Sequence, residues 1–268
     1  MSVKLVTFDA LHTLVTPRLP IYVQYSQTFE PYLGALDPTS LKSSFKSALK
    51  QVQIEKPAYK HGAEGWWSEV IRRTAVGAGA NLQGKLTAAS DPIQTVCGID
   101  PRVVSLAVDA SLSKIVPRLL QRFSSREGYK LFDDTLVCLL RLKELNIRTG
   151  LVSNTDARMR AVLEDLDIMK YLDPFLISEA EGVEKPSAEI YARACSRAGV
   201  NGSEVIHVGD ELEADYWGAK KAGICALLIR RHGAEGEEEH KEPDEDLTGV
   251  EVVHSLQEVV DRVRSKLT

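Results

Sequence analysis

From residue 134 onward the chain alternates between amphipathic stretches and short apolar runs, and few folds accept that rhythm. Helical patterning covers 134–145, 156–166, 188–199 and 214–222, the last closed by Gly223. Strand-like runs lie at 147–152, 175–178, 205–208 and 224–229, followed by a short strand at 251–254 and a helix at 256–267. Parallel strands need a long return crossing, and a helix supplies it compactly, so the alternation predicts a parallel sheet with helices on both faces. Another apolar, β-branched run, 3–8, opens the chain. The expected fold class is α/β, a doubly wound parallel sheet, in which ligands bind beyond the carboxyl ends of the strands.

Between the first run and residue 125 the pattern is different. Apolar residues recur at three- and four-residue spacing in 21–33, 41–54 and 101–123, and Trp66, Trp67, Val70, Ile71 and Val76 continue the pattern. Gly77, Gly79 and the polar run 84–91 read as connections. This predicts a helical domain, 17–125, inserted into an α/β core made of 1–16 and 126–268. The two tryptophans are expected to pack inside it.

The formal net charge of −5 argues against a nucleic-acid partner, which needs clustered Lys and Arg. No apolar run has the length of a membrane span, and 3–8 is too short for a signal-peptide core. A strand starting at residue 3 leaves no room for a transit peptide, so cytoplasm or nucleus is the expected compartment. Cys97, Cys138, Cys195 and Cys225 lie far apart without a C-x-x-C, which predicts buried inert thiols. The acidic stretch HGAEGEEEHKEPDED, 232–246, reads as a solvated or partly disordered loop.

The strand ends carry the chemistry. Asp9 follows LVTF, Ser153 and Asn154 follow TGLV, Lys185 lies in VEKPS, and Asp210 follows VIHVG with Asp215 five residues on. Gathered on one sheet edge, these groups suit a phosphate. A carboxylate can attack phosphorus and split one difficult displacement into two easier ones. Neighbouring carboxylates repel, so a divalent cation with a preference for hard oxygen ligands, Mg²⁺, is expected between them. Ser153, Asn154 and Lys185 are the candidates for holding the other phosphoryl oxygens, helped by N–H groups at helix starts after Asn154 and Pro186.

FDALHTL, VSNTD, EKPSAEIYARA and HVGDELEADYWGAKKAG resemble, in order and spacing, the four motifs of the haloacid dehalogenase superfamily. The helical insertion between the first two resembles that family's C1-type cap. The resemblance implies a Rossmannoid core and a small phosphorylated substrate. It implies Asp9 as nucleophile and metal ligand, Ser153 as the second-motif hydroxyl, Lys185 as charge stabiliser and Asp210 as metal ligand. Asp215 would serve the metal directly or through water. Phosphatases of the family carry D-x-D-x-T in the first motif, where the second Asp moves protons. Here the sequence is D-A-L-H-T, so that position is Leu11, whose backbone carbonyl can still ligate Mg²⁺.

Weak turnover, better on acyl or aryl phosphates than on alkyl ones, is therefore expected. His12 and Glu211 are the candidates to stand in for the missing acid, although His12 also occupies the family's usual Gly position and Glu211 also reads as the start of the next helix; His207 reads as a satisfied core histidine. Two further readings stay open. One is a catalytically impaired protein that binds a phosphorylated ligand or partner. The other is a metal-independent 2-haloacid dehalogenase, a class that also lacks the second Asp.

Overall fold

Strands buried on both faces must be apolar along their whole length, and the chain supplies such runs as LVTF, VIHVG and CALLI. The computed structural model describes residues 3–59, 62–80, 101–236, 239–241 and 244–267. Its strands are β1 Leu5–Phe8, β2 Val15–Pro17, β3 Tyr129–Leu131, β4 Arg148–Ser153, β5 Phe175–Ile177, β6 Val205–Gly209, β7 Cys225–Ile229 and β8 Val252–Val253. Six of them form one parallel sheet in the order β5-β4-β1-β6-β7-β8. The chain builds outward from β1 through β4 to β5, then returns to the other side of β1 for β6, β7 and β8. The switch point therefore lies at the carboxyl end of β1.

Two units divide the chain, Met1–Arg18 with Tyr129–Thr268, and Leu19–Gly128. The second unit is helical, with α1 Ile21–Leu33, α2 Pro38–Glu55, α3 Ala63–Gly77 and α4 Pro101–Arg122. Asp37 caps α2 by accepting from Ser40 N at 2.7 Å, with Pro38 at the first helical position, where its missing N–H costs nothing. Tyr25 packs edge-on against Phe29 and Phe45, and Trp66 is buried among Ala48, Val52 and Val70. Both tryptophans pack within the unit, Trp66 donating to Lys56 O at 2.9 Å and meeting the Trp67 ring at 4.9 Å. The connection expected at 84–91, and Cys97, lie outside the described residues.

The first unit carries α5 Thr135–Glu144, α6 Arg158–Asp165, α7 Ser178–Glu181, α8 Ala188–Ala198, α9 Gly218–Lys221 and α10 Leu256–Ser265. Alternation along each strand splits its core into two layers. Val6, Phe8, Val208 and Leu227 face Leu139, Leu142, Val162, Val259 and Val263 of α5, α6 and α10. Leu5, Val152, Val205 and Leu228 face Ile190, Tyr191, Ala194 and Ala219 of α8 and α9. Among the described residues no helix is long and apolar enough to cross a membrane.

Three local expectations are corrected. The segment read as one helix, 214–222, starts as a π-helical turn, Leu212–Trp217, before α9, because Tyr216 N reaches back five residues to Glu211 O at 3.3 Å. Cys138 is buried, but Cys195 and Cys225 are only half-buried. The acidic stretch is not simply solvated: Glu239 is 6% exposed and Glu245 pairs with Arg230 at 2.5 Å. One pairing had no sequence signal, the antiparallel β2–β3 contact of Val15 with Leu131 and Pro17 with Tyr129. Three-residue strands, one ending in Pro, are too short to show a period.

Arg231, 5% exposed at the end of β7, ties several segments together. Its guanidinium stacks 3.8 Å from the Phe132 ring, donates to Thr13 O at 3.1 Å and meets both oxygens of Asp134 at 3.0 Å. Asp134 also accepts from Leu256 N, the first residue of α10, at 2.8 Å. Removing one partner of such a pair strands a buried charge. Asp134→Ala is expected to lower the unfolding free energy by about 3 kcal/mol in urea titrations followed by circular dichroism, whereas a loss under about 1 kcal/mol would contradict the tie.

Candidate active site

Register brings the strand ends together. Phe8 sits level with Leu151 on one side and Val208 on the other, so Asp9 emerges next to Ser153 and Asp210. Asp9 N donates to Val208 O at 2.8 Å. After Asp9 the chain turns tightly, with Leu14 N and Val15 N both donating to Ala10 O and His12 N to Val15 O. His12 takes φ +59°, a left-handed conformation that glycine adopts more easily. Leu11 is half-buried, with its side chain packed on the sheet core. Thr13 Oγ1 is buried and lacks a hydrogen-bond partner among the described residues.

Lys185 is the hub. It is 4% exposed, and its Nζ donates to Asp9 Oδ1 at 2.6 Å and to Asp215 Oδ1 at 2.5 Å. Asn154 clamps its backbone, Oδ1 accepting from Lys185 N at 2.8 Å and Nδ2 donating to Lys185 O at 2.9 Å. The Asn154 amide thus holds the loop with one of its two N–H groups and its oxygen. Ser153, 3% exposed, closes β4 beside Asp9, and its hydroxyl helps to lower the Asp9 carboxyl against the effect of burial.

Asp215 is fully buried under this pair, and three donors hold it: Lys185, His207 Nε2 at 3.0 Å, and Glu211 N on Oδ2 at 2.9 Å. A carboxylate only accepts, so His207 carries its proton on Nε2 and accepts from Thr7 Oγ1 at Nδ1, 2.9 Å away. The core histidine foreseen in the sequence is thus a support of the site. Glycine makes the packing feasible. A Cβ on Gly209 would lie 2.1 Å from Asp215 Cγ, and one on Gly218 would lie 2.9 Å from Pro186 Cα. Neither role has a sequence signal, because both are close approaches between distant segments.

The electrostatics are lopsided. Burial pushes the Asp215 carboxyl up, but the Lys185 ammonium and the His207 bond outweigh it and hold the group well below the usual carboxylate range. Burial raises Asp9, with Lys185 opposing. Burial and then the Asp9 and Asp215 charges hold Asp210, 2% exposed, well above its ordinary value. Burial lowers Lys185, yet the two carboxylates it touches keep it firmly protonated. Three carboxyl groups thus face one ammonium in a buried cluster, and Asp210 is the one most strongly pushed toward its protonated form.

Asp9, Asp210 and Asp215 each offer an oxygen within 4.8 Å of the other two. Mg²⁺ holds its oxygen ligands at about 2.1 Å, so one cation would draw these three carboxyl groups closer together than they stand here. The donor set of hard carboxylate oxygens and their excess over the one ammonium both fit a divalent cation. Asp215 Oδ1 is already committed to Lys185 and His207, which leaves Asp9 and Asp210 as the freer ligands.

The model of the haloacid dehalogenase-like hydrolase family matches residues 3–223. A zebrafish (Danio rerio) relative, haloacid dehalogenase-like hydrolase domain-containing protein 3, is 26% identical over 98% of each chain. The glyceraldehyde 3-phosphate phosphatase of Methanopyrus kandleri is 34% identical over 50% of this chain and 57% of its own. Among solved structures, the 2-haloacid dehalogenase of Pseudomonas syringae superposes with a TM-score of 0.60 at 21% identity, covering 99% of this chain and 100% of that one.

The excess of carboxyl groups has a measurable consequence. A carboxyl whose folded pKa is raised contributes stability below its unfolded pKa and loses it as pH rises through the folded value, so at neutral pH Asp210, ionised in the unfolded chain but disfavoured as a buried carboxylate, weakens the metal-free fold. Asp210→Asn is expected to melt higher than wild type in EDTA at pH 7 and to lose any Mg²⁺-dependent rise. A lower melting temperature in EDTA would show that Asp210 is not repelled.

Proposed function

The chain belongs to the haloacid dehalogenase-like hydrolase family, and from that premise we propose that it is a Mg²⁺-dependent phosphatase of small phosphorylated compounds, slowed by Leu11. The observation that carries this reading is the cluster of three buried carboxyl groups around Asp9 and Lys185, whose mutual repulsion a divalent cation would relieve. The relative from Methanopyrus kandleri, a phosphatase by name, supports the same reaction class. Displacing halide from carbon without metal would leave that repulsion without a cation to relieve it, which sets the dehalogenase reading behind.

Asp9 would attack the phosphorus, the substrate's P–O bond would break, and the alcohol, phenol or carboxylate would leave with the bonding pair. Water would then attack the phosphorylated Asp9, releasing phosphate and restoring the carboxylate. Lys185, already on Asp9 Oδ1, fixes the attacking group and would offset phosphoryl charge, while the Ser153 hydroxyl at the end of β4 would donate to a phosphoryl oxygen. Thr13 Oγ1 has an unused donor in the same turn. Mg²⁺ would be held by Asp9, Asp210 and the Leu11 carbonyl, with Asp215 in support, and when bound it neutralises charge on the carboxylates and the phosphoryl oxygens. The helical unit Leu19–Gly128 would act as the cap that selects the substrate and excludes water.

Proton transfer is the weak step. Leu11 cannot protonate a leaving alkoxide or activate water, and general acid–base help is worth about 10²–10⁴-fold. Acyl and aryl phosphates need that help least.

Incubation with acetyl phosphate or 4-nitrophenyl phosphate is expected to release phosphate with Mg²⁺ and not with EDTA, and Asp9→Asn is expected to abolish it. Leu11→Asp is expected to raise turnover of alkyl phosphates by about 10²-fold or more, with a smaller gain on acetyl phosphate. Halide release from 2-chloropropionate in EDTA, without phosphate release, would replace this reading with dehalogenation. Inactivity of wild type and Leu11→Asp alike would leave a binding protein.

A further inference from the structure

The acidic stretch after β7 reaches the centre of the site. Glu239 is buried with Oε1 accepting from Arg231 N at 2.6 Å, and Lys241 pairs with its other oxygen at 3.2 Å. Lys241 also donates to Gly236 O at 2.7 Å, and a Cβ on Gly236 would lie 2.1 Å from Arg231 O, so the chain must fold back closely here. That anchoring aims the next main-chain group, His240 N, at Asp210 Oδ2, 2.8 Å away. The same stretch holds Asp210 a second way: Glu245 grips Arg230 at 2.5 Å, and the Arg230 guanidinium donates to Asp210 O.

We propose that the Glu239–His240–Lys241 turn is a positioning element for the cation site, fixing Asp210 through the His240 main-chain N–H so that its other oxygen faces Asp9. The inference rests on the cation reading above. Its physical basis is the repulsion within the cluster: a carboxylate beside Asp9 and Asp215 gains by rotating away, and a fixed N–H on one oxygen opposes that rotation. The imidazole of His240 is not the operative group, since its side chain is 55% exposed and the bond comes from the backbone. Partners outside the ligand shell of a metal typically change affinity by about 10–100-fold when lost.

The test is Mn²⁺ binding to the whole chain, followed by the loss of free Mn²⁺ signal in electron paramagnetic resonance, with metal-free melting temperatures measured alongside. Glu239→Ala, which frees the turn, and His240→Pro, which removes the donor N–H, are expected to weaken Mn²⁺ binding about tenfold. Glu239→Gln keeps the acceptor for Arg231 N, and His240→Ala keeps the N–H, so each is expected to restore affinity. Glu239→Ala leaves the backbone chemistry intact and decides the matter if His240→Pro misfolds. Wild-type affinity in Glu239→Ala would overturn the positioning role while leaving the cation site standing. Equal weakening in His240→Ala and His240→Pro would overturn it in favour of the imidazole. Failure of wild type itself to bind Mn²⁺ would overturn both.

Discussion

One ammonium shared by two carboxylates organises the site. Burying Lys185 with Asp9 and Asp215 costs several kcal/mol per ion in desolvation, and the cost is offset only because each group finds close, well-placed partners. Those partners come from the ends of β1, β4 and β6, the loop that carries Lys185 and the turn that carries Asp215, so the pairing demands the sheet register that delivers them. It also demands empty space in specific places: Gly209 where Asp215 lies against β6, and Gly218 where α9 crosses Pro186. His207 completes the support by donating to the same oxygen of Asp215 that Lys185 holds, while Glu211 N takes the other. The site is thus a property of the sheet rather than of its loops.

How much of this the sequence disclosed follows from what is local. Asp9, Ser153, Lys185 and Asp210 were legible because each closes an apolar run or precedes a helix, and position at a strand end is a one-dimensional fact. The parallel sheet was legible for the same reason, since burial on both faces writes itself as an unbroken apolar word. Asp215 was ambiguous in sequence, and the structure engages its oxygens with Lys185, His207 and Glu211 N. Asn154 was read as a phosphate contact, and its amide has a further place that the sequence did not signal, on the backbone of Lys185.

The acidic stretch was opaque for a different reason. Charge runs are usually solvated, and nothing in EGEEEHKEPDED says which carboxylate will find an arginine. The signal that existed was on the other side, in Arg230 and Arg231 directly after the buried strand CALLI. Two guanidiniums at the end of an apolar strand need counter-charges, and Asp134, Glu239 and Glu245 supply carboxylates that reach their side chains or backbone. Arginine is suited to the position, because a planar fork can stack on Phe132 and grip Asp134 with two nitrogens at once.

Leu11 separates two functions that usually travel together. Binding a cation through the first motif uses a carboxylate and a backbone carbonyl, and the turn that shapes both is fixed by main-chain bonds from His12, Leu14 and Val15. His12 holds its left-handed conformation there despite a cost of roughly 1–2 kcal/mol for a non-glycine residue, so the turn does not depend on the side chain at position 11. Proton transfer needs that side chain and nothing else in the turn. A fold with neither cation nor phosphate to hold would gain stability from a neutral residue at 210, yet the chain keeps three buried carboxylates against one lysine. A proton on Asp210 relieves that repulsion in the metal-free fold and a cation would relieve it more fully, which supports the proposed cation site.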